Sequence, residues 1–264
     1  MQITTILPVS RVEYLDRVLE SLLNQTLKPQ SLLVIFDGTD EQYIDVRNKI
    51  VGLPFNQVLC LKSNNLRPAF AISERREHIA NIHNQFRDMI GGADWIFSIE
   101  DDGILPPDAL QRLVLVAKDR PDFGIITGVE LGRWGVPYVG AWRVDDINNT
   151  RMATSMENHA GEDFIDEIDA CGLYCALIRA DKYKEHEFDA RNGLGPDVNL
   201  ALYLRQSGYK NYIAWAIPVT HLTNRSGLEM EIYATDTSQL VTLSLLGNNT
   251  WSQTKYGQTP FGKL

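Results

Sequence analysis

The chain has 264 residues, 44% hydrophobic and 22% charged, which suits one large α/β domain or two small ones and excludes a disordered chain. A formal net charge of −9 excludes a surface-wide basic footprint for nucleic acid, though not a local basic groove. No apolar run reaches the length of a membrane span, no secretion signal precedes the first strand, and three cysteines (Cys60, Cys171, Cys175) make neither a disulfide framework nor a zinc set; the expectation is a cytoplasmic, reducing setting.

The run ITTILPV at 3–9 predicts a buried strand. In the following SRVEYLDRVLESLLNQ, Ser10 and Glu13 make a capping-box pattern, and Val12, Leu15, Leu19, Leu22 and Leu23 share a helical face. SLLVIFDGTD is a second strand ending in Asp37-Gly38, so the first forty residues read as a βαβ unit and predict a parallel sheet. RNKIVGL reads as a short helix and NQVLCLKS as a third strand. Glu74 to Ile90 predicts a helix with Ile79, Ile82, Phe86 and Ile90 in phase, stopped by Gly91-Gly92. Trp95 to Ile99 is a fourth strand. Pro106-Pro107 opens the helix DALQRLVLVAKD, and DFGIITGVEL is a further strand.

From Gly132 to Asp169 periodicity weakens and loops are expected. ACGLYCALIRADKY returns to a strand, DVNLALYLRQSGYK is a helix ended by Gly208, and NYIAWAIPVTHL is a late strand. Leu228 to Leu246 reads as a helix whose Leu240, Val241, Leu243, Leu245 and Leu246 need burial, followed by a polar tail.

The chemistry gathers at DWIFSIEDDGILPPDAL. Three acids, Glu100, Asp101 and Asp102, end an apolar strand. In an extended segment Glu100 and Asp102 share a face and Asp101 takes the other. Carboxylates converging there are hard oxygen ligands suited to Mg²⁺ or Mn²⁺, ions that keep waters and bridge to phosphates. Asp37 tips a second apolar strand, and open parallel sheets bind ligands at the carboxyl ends of their strands. Each residue also has a plain structural role open to it. The acids can make a turn, Asp197 can cap a helix, His221 can be a core histidine, and Arg75 and Arg76 can lie on a solvated face. Trp134, Tyr138, Trp142 and Tyr174 can stack on sugar rings or simply pack.

Three segments in order resemble glycosyltransferases of the GT-A fold, family-2-like. The first is ILPVSRVEYLDRVLESLLNQTLKPQSLLVIFDGTD, the second GADWIFSIEDDGILPPDAL, and the third GLGPDVNLALYLRQSGYKNYIAWAIPVTHL; they cover 3–110 and 193–222. The resemblance implies an α/β fold with a mostly parallel central sheet flanked by helices and a C-terminal helical extension. Residues 1–224 would form the glycosyltransferase domain, with a nucleotide-sugar half at 1–110 and an acceptor half at 111–224; residues 225–264 would form the extension.

It further implies a metal-dependent, inverting enzyme that moves a sugar from a nucleotide-diphosphate sugar, UDP first, to a hydroxyl. Pro8, Ser10, Asp37, Arg75 or Arg76, Glu100, Asp101 and Asp102 would line the donor. Asp102, His221 and Glu100 would hold Mn²⁺ or Mg²⁺, and Asp197 would be the catalytic base. Trp134, Trp142 and Tyr174 are the acceptor candidates. The acceptor is left open among a glycan, a lipid carrier, a protein and a modified DNA base, and the extension could pair two subunits. The chain departs from the family pattern in carrying Glu100 at the first acid of the Asp-X-Asp motif, Pro196 before the base, and a single acid in FDGT. A silent glycan-binding module on the same fold and a nucleotidyltransferase are the competing readings; the first loop, PVSRVEY, lacks the glycines the latter needs.

Overall fold

The computed structural model describes residues 1–64, 72–130, 138–144, 153–190, 194–225 and 228–233. Its elements run β1 (Ile3–Val9), α1 (Leu15–Leu23), β2 (Ser31–Phe36), α2 (Asp40–Ile50), β3 (Gln57–Lys62), α3 (Ile72–Met89), β4 (Trp95–Ile99), β5 (Gly103–Ile104), α4 (Ala109–Asp119) and β6 (Phe123–Val129). They continue with β7 (Tyr138–Val144), β8 (Ala153–Glu157), β9 (Ile165–Ile168), β10 (Ala170–Cys171), β11 (Cys175–Arg179), α5 (Ala180–Glu185), α6 (Pro196–Gln206), β12 (Lys210–Pro218), β13 (Thr220–Arg225) and β14 (Leu228–Tyr233).

An eight-stranded sheet in the order β3-β2-β1-β4-β11-β6-β12-β9 organises the molecule. The β3-β2-β1-β4 half is parallel throughout, as the βαβ reading predicts. Beyond it β11 runs antiparallel between β4 and β6, and β12 lies parallel to β6. Because strand side chains alternate, each central strand feeds two cores. Leu32, Val34 and Phe36 of β2 and Phe97 and Ile99 of β4 pack with α1, α2 and α4. Leu33, Ile35 and Ile96 face the other way, onto α3, α5 and α6. Burial on both faces is why these strands read as continuous apolar runs.

Several expectations change. α1 begins at Leu15 with no side-chain cap, because Ser10 is engaged elsewhere. The capping box belongs to α2, where Thr39 accepts from the Gln42 N–H at 3.3 Å and the Gln42 side chain accepts from the Thr39 N–H at 3.2 Å. That cap starts α2 at Asp40, seven residues before the helix read from RNKIVGL. The late strand is two: β12 stops at Pro218 and β13 starts at Thr220, in a separate small sheet with β5 and β14. The helix expected from Leu228 is contradicted at its start. Residues 228–233, LEMEIY, alternate with period two and pair antiparallel with all of β13. The remainder of that expected helix and the polar tail lie outside the described residues. α6 ends as read, with Gly208 at φ +86° in the left-handed region that glycine tolerates.

Candidate active site

β4 ends at Ile99, and the chain turns through Glu100, Asp101 and Asp102 before β5. The turn breaks the alternation expected of these acids, so that Asp101 and Asp102 both reach Arg11, in the loop after β1. Arg11 Nε donates to Asp101 Oδ1 at 2.9 Å; one terminal nitrogen donates to the same oxygen and the other to Asp102 Oδ2. Asp101 Oδ2 also accepts from the Ser10 N–H (2.6 Å), the Arg11 N–H (2.7 Å) and the Ser10 hydroxyl (3.2 Å). These bonds fill the lone pairs of a buried carboxylate. Asp101 therefore clamps the first loop to the tip of β4. Burial works against the Arg11 charge, but Asp101, Asp102 and Glu100 outweigh it and hold its pKa above the ordinary arginine value.

Backbone pairing delivers His221. β13 runs antiparallel to β5 with His221 opposite Gly103, and the Leu222 N–H donates to the Asp102 carbonyl at 2.7 Å. His221 Nε2 then lies 2.9 Å from Asp102 Oδ2, and its Nδ1 lies 3.7 Å from Glu130 Oε2 just past β6. All three side chains are buried. Among the described residues no group of three or more His, Cys, Asp or Glu side chains is arranged to hold an ion. Glu100, expected as a third ligand, does not complete such a group with Asp102 and His221. The pair alone still fits a divalent ion. Ligands about 2.1 Å from one ion at right angles stand about 3 Å apart, and Mg²⁺ or Mn²⁺ takes its remaining oxygens from water and phosphates.

At the tip of β2, Asp37 is pinned by its N–H to the Val9 carbonyl (2.7 Å) and by its carboxylate, 2.8 Å from His78 Nε2 on α3. The two arginines of α3 separate: Arg75 is exposed, whereas Arg76 is half-buried and its charge acts on Asp197. Gly195 is the N-cap of α6, so Asp197 is not the cap; it sits in the first turn, where its own N–H and that of Val198 favour its ionised form. Burial raises its pKa above the ordinary aspartate value, offset only in part by those hydrogen bonds and by Arg76. A Cβ on Gly195 would lie 2.2 Å from Asp197 Oδ1, so the bare glycine leaves room for that carboxylate.

The acceptor candidates fare unevenly. Tyr174 is 3% exposed and its hydroxyl donates to the Gly128 carbonyl at 3.0 Å, so its ring is packed into the core. Trp142 is half-buried on β7 against the sheet core. Trp134 lies outside the described residues. Pro8 is half-buried at the end of β1. Sequence reasoning missed Arg11, His78 and Glu130. Glu130 follows an apolar strand just as Asp37 and the acid triplet do, so the same signal marks it.

A profile described as Glycosyltransferase like family 2 matches residues 4–235. The chain belongs to this family. Its mostly parallel sheet with flanking helices is the GT-A fold. Among curated proteins it is 25% identical over 126 residues to the Glucosyl-dolichyl phosphate glucuronosyltransferase of Haloferax volcanii; the match covers 48% of this chain and 36% of that protein, about a third of the relative's length. Among solved structures, GalNAc-T7 with UDP, GalNAc and Mn²⁺ superposes with a TM-score of 0.60 at 12% identity, covering 86% of this chain and 44% of that chain. TarS residues 1–349 of S. aureus in complex with UDP-GlcNAc gives 0.51 at 12% identity, covering 81% and 56%. No helix among the described residues is long and apolar enough to cross a membrane.

Proposed function

We propose that this glycosyltransferase takes a sugar from a nucleoside diphosphate, uridine diphosphate first, and passes it to an acceptor hydroxyl with inversion at the anomeric carbon. The observation that carries the reading is the buried pair Asp102 and His221, 2.9 Å apart at the carboxyl end of the sheet. That is where open parallel sheets bind ligands. Asp102 and His221 would hold Mn²⁺ or Mg²⁺, which neutralises the charge of a departing diphosphate as a Lewis acid. Asp37, held by His78, would receive the nucleoside. Arg76 would take part on the donor side of α3. Asp197 would accept the proton of the acceptor hydroxyl as that oxygen attacks from the face opposite the leaving group. Its raised pKa makes it a stronger base than an exposed aspartate.

The Haloferax relative is named for transfer to a dolichyl phosphate carrying glucose, so a lipid-carried saccharide is the acceptor class to try first. A thermal-shift panel of UDP, GDP, CDP, dTDP and ADP, each with and without Mn²⁺, tests the donor reading. One nucleotide should raise the melting temperature, with most of the rise requiring Mn²⁺. No shift with any nucleotide would overturn the reading in favour of a silent member of the family.

A further inference from the structure

We propose that Arg11 is a placeholder for the divalent cation: in the nucleotide-free protein its guanidinium occupies Asp102, and it releases that carboxylate only when a diphosphate arrives. The inference deepens the metal-and-nucleotide reading above and rests on it.

The argument begins with one oxygen. Asp102 Oδ2, the atom 2.9 Å from His221 Nε2, is also the acceptor for an Arg11 terminal nitrogen. An ion held between Asp102 and His221 at this spacing would sit against that same oxygen, the one beside the imidazole. A guanidinium and a divalent ion sharing it would also stand against one another where water is largely excluded, so the two occupants compete.

Charge explains why something must be there when no ion is. Three carboxylates follow one another at the tip of β4, and Asp101 and Asp102 are 3% and 0% exposed. Buried carboxylates without a counter-charge are strongly unfavourable. Arg11 supplies that charge to both at once through its planar fork.

The loop is built so that the side chain can leave while the backbone stays. Two main-chain donors, the N–H groups of Ser10 and Arg11, hold Asp101 Oδ2 at 2.6 and 2.7 Å. Neither depends on the guanidinium. The Arg11 side chain is 27% exposed, so a route outward exists. A diphosphate brought to the carboxyl end of the sheet offers the same fork a bidentate oxygen acceptor. Arg11 would move from carboxylate to phosphate, and the vacated Asp102 would take the ion. Nucleotide and metal then bind with positive coupling, each raising the affinity of the other by the same factor.

The test is Mn²⁺ binding, read from the EPR signal of unbound Mn²⁺, with and without saturating UDP. It compares wild type, R11A, R11K and the double variant R11A/D102N. Without UDP, R11A should bind Mn²⁺ about tenfold or more tighter than wild type, since one charge-assisted hydrogen bond no longer has to be broken first. Saturating UDP should remove most of that difference, and D102N should abolish the tight binding. R11K, which keeps the charge without the fork, should also gain, and it serves if R11A fails to fold. A gain equal with and without UDP would mark Arg11 as a background charge and overturn the inference. So would Arg11 variants that bind no tighter than wild type. If wild type binds no Mn²⁺ even at saturating UDP, the metal reading itself has failed; if it does bind there and only the nucleotide-free gain is missing, the placeholder alone has failed.

Discussion

The Asp102 carboxylate and the His221 imidazole meet at 2.9 Å although 119 residues separate them. What joins them is main chain. β13 pairs with β5 immediately after the acid turn, and Leu222 donates to the Asp102 carbonyl. The strand pairing fixes the distance before any ligand enters, so little ordering remains to be done on binding. Replacing His221 with alanine should weaken UDP-dependent Mn²⁺ binding by at least about tenfold, the scale of losing a partner at a metal site. Asp102 keeps Arg11 as a partner in that variant, so the loss of stability should fall below the ~3–5 kcal/mol of a fully broken buried pair. Isothermal titration and urea unfolding measure the two effects separately. Unchanged Mn²⁺ affinity in H221A would remove His221 from the ligand set.

Asp197→Asn should separate activity from stability. As the proposed general base its loss should lower kcat by ~10²–10⁴-fold. Its folded-state pKa is raised by burial, so the folded protein is protonated there at higher pH than the unfolded chain. The group therefore favours folding most below its unfolded pKa, and that contribution is lost as pH rises through the folded pKa. Asparagine cannot ionise, so D197N should melt no lower than wild type at neutral pH while being nearly inactive. The acid limb of the wild-type rate profile should lie above the ordinary aspartate pKa of ~3.9. A D197N variant with wild-type kcat would end the assignment.

Gly195→Ala tests whether the position of that carboxylate matters. The backbone of Gly195 is extended, at φ −69° and ψ 153°, so alanine carries no conformational strain there. Its Cβ would nonetheless lie 2.2 Å from Asp197 Oδ1, and one of the two must move. A displacement near 1 Å at a reacting group costs ~10²-fold. The expected result is a kcat loss of that order with donor KM little changed.

His78→Ala should act on the other side of the site. Asp37 loses the imidazole that holds its carboxylate at 2.8 Å. The expected effect is a higher KM for the nucleotide-sugar with kcat changed much less, the pattern of lost ground-state binding. A kcat loss at constant KM would place His78 in the chemistry instead.

How legible this was depended on which force set each feature. The strands β1, β2, β4 and β6 were readable because burial on both faces leaves unbroken apolar runs, and the acids at the tips of β2 and β4 stand out against them. Asp37, Asp102, His221 and Asp197 stand out as candidates through that contrast and through the order of the three matched segments. Arg11 does not, because a single arginine in a loop carries no periodicity, and its partners are 90 residues away. The facing of the tip acids differs from strand alternation because the chain turns there, and Arg11 reaches two consecutive carboxylates. Tyr174 looked like a stacking platform because composition marks an aromatic but not its burial. LEMEIY reads as helical only when its six residues are averaged into a longer apolar pattern; their own alternation is that of a strand.

That strand yields the last prediction. β14 covers the whole of β13, pairing Thr220 with Tyr233, His221 with Ile232 and Arg225 with Leu228. On its other side, among the described residues, β13 pairs with β5 at Thr220 and His221, and the Leu222 N–H bonds the Asp102 carbonyl beside them. Removing 228–264 would leave β13 attached by that short ladder, and a two-stranded pairing of this length is marginal in water. The truncated chain should melt at a lower temperature. Its local loss should centre on His221, seen as faster amide exchange at 220–225 and as weaker Mn²⁺ binding in the presence of UDP. An unchanged melting temperature together with unchanged exchange in β13 would show that β5 alone positions His221, and that β14 serves some other purpose.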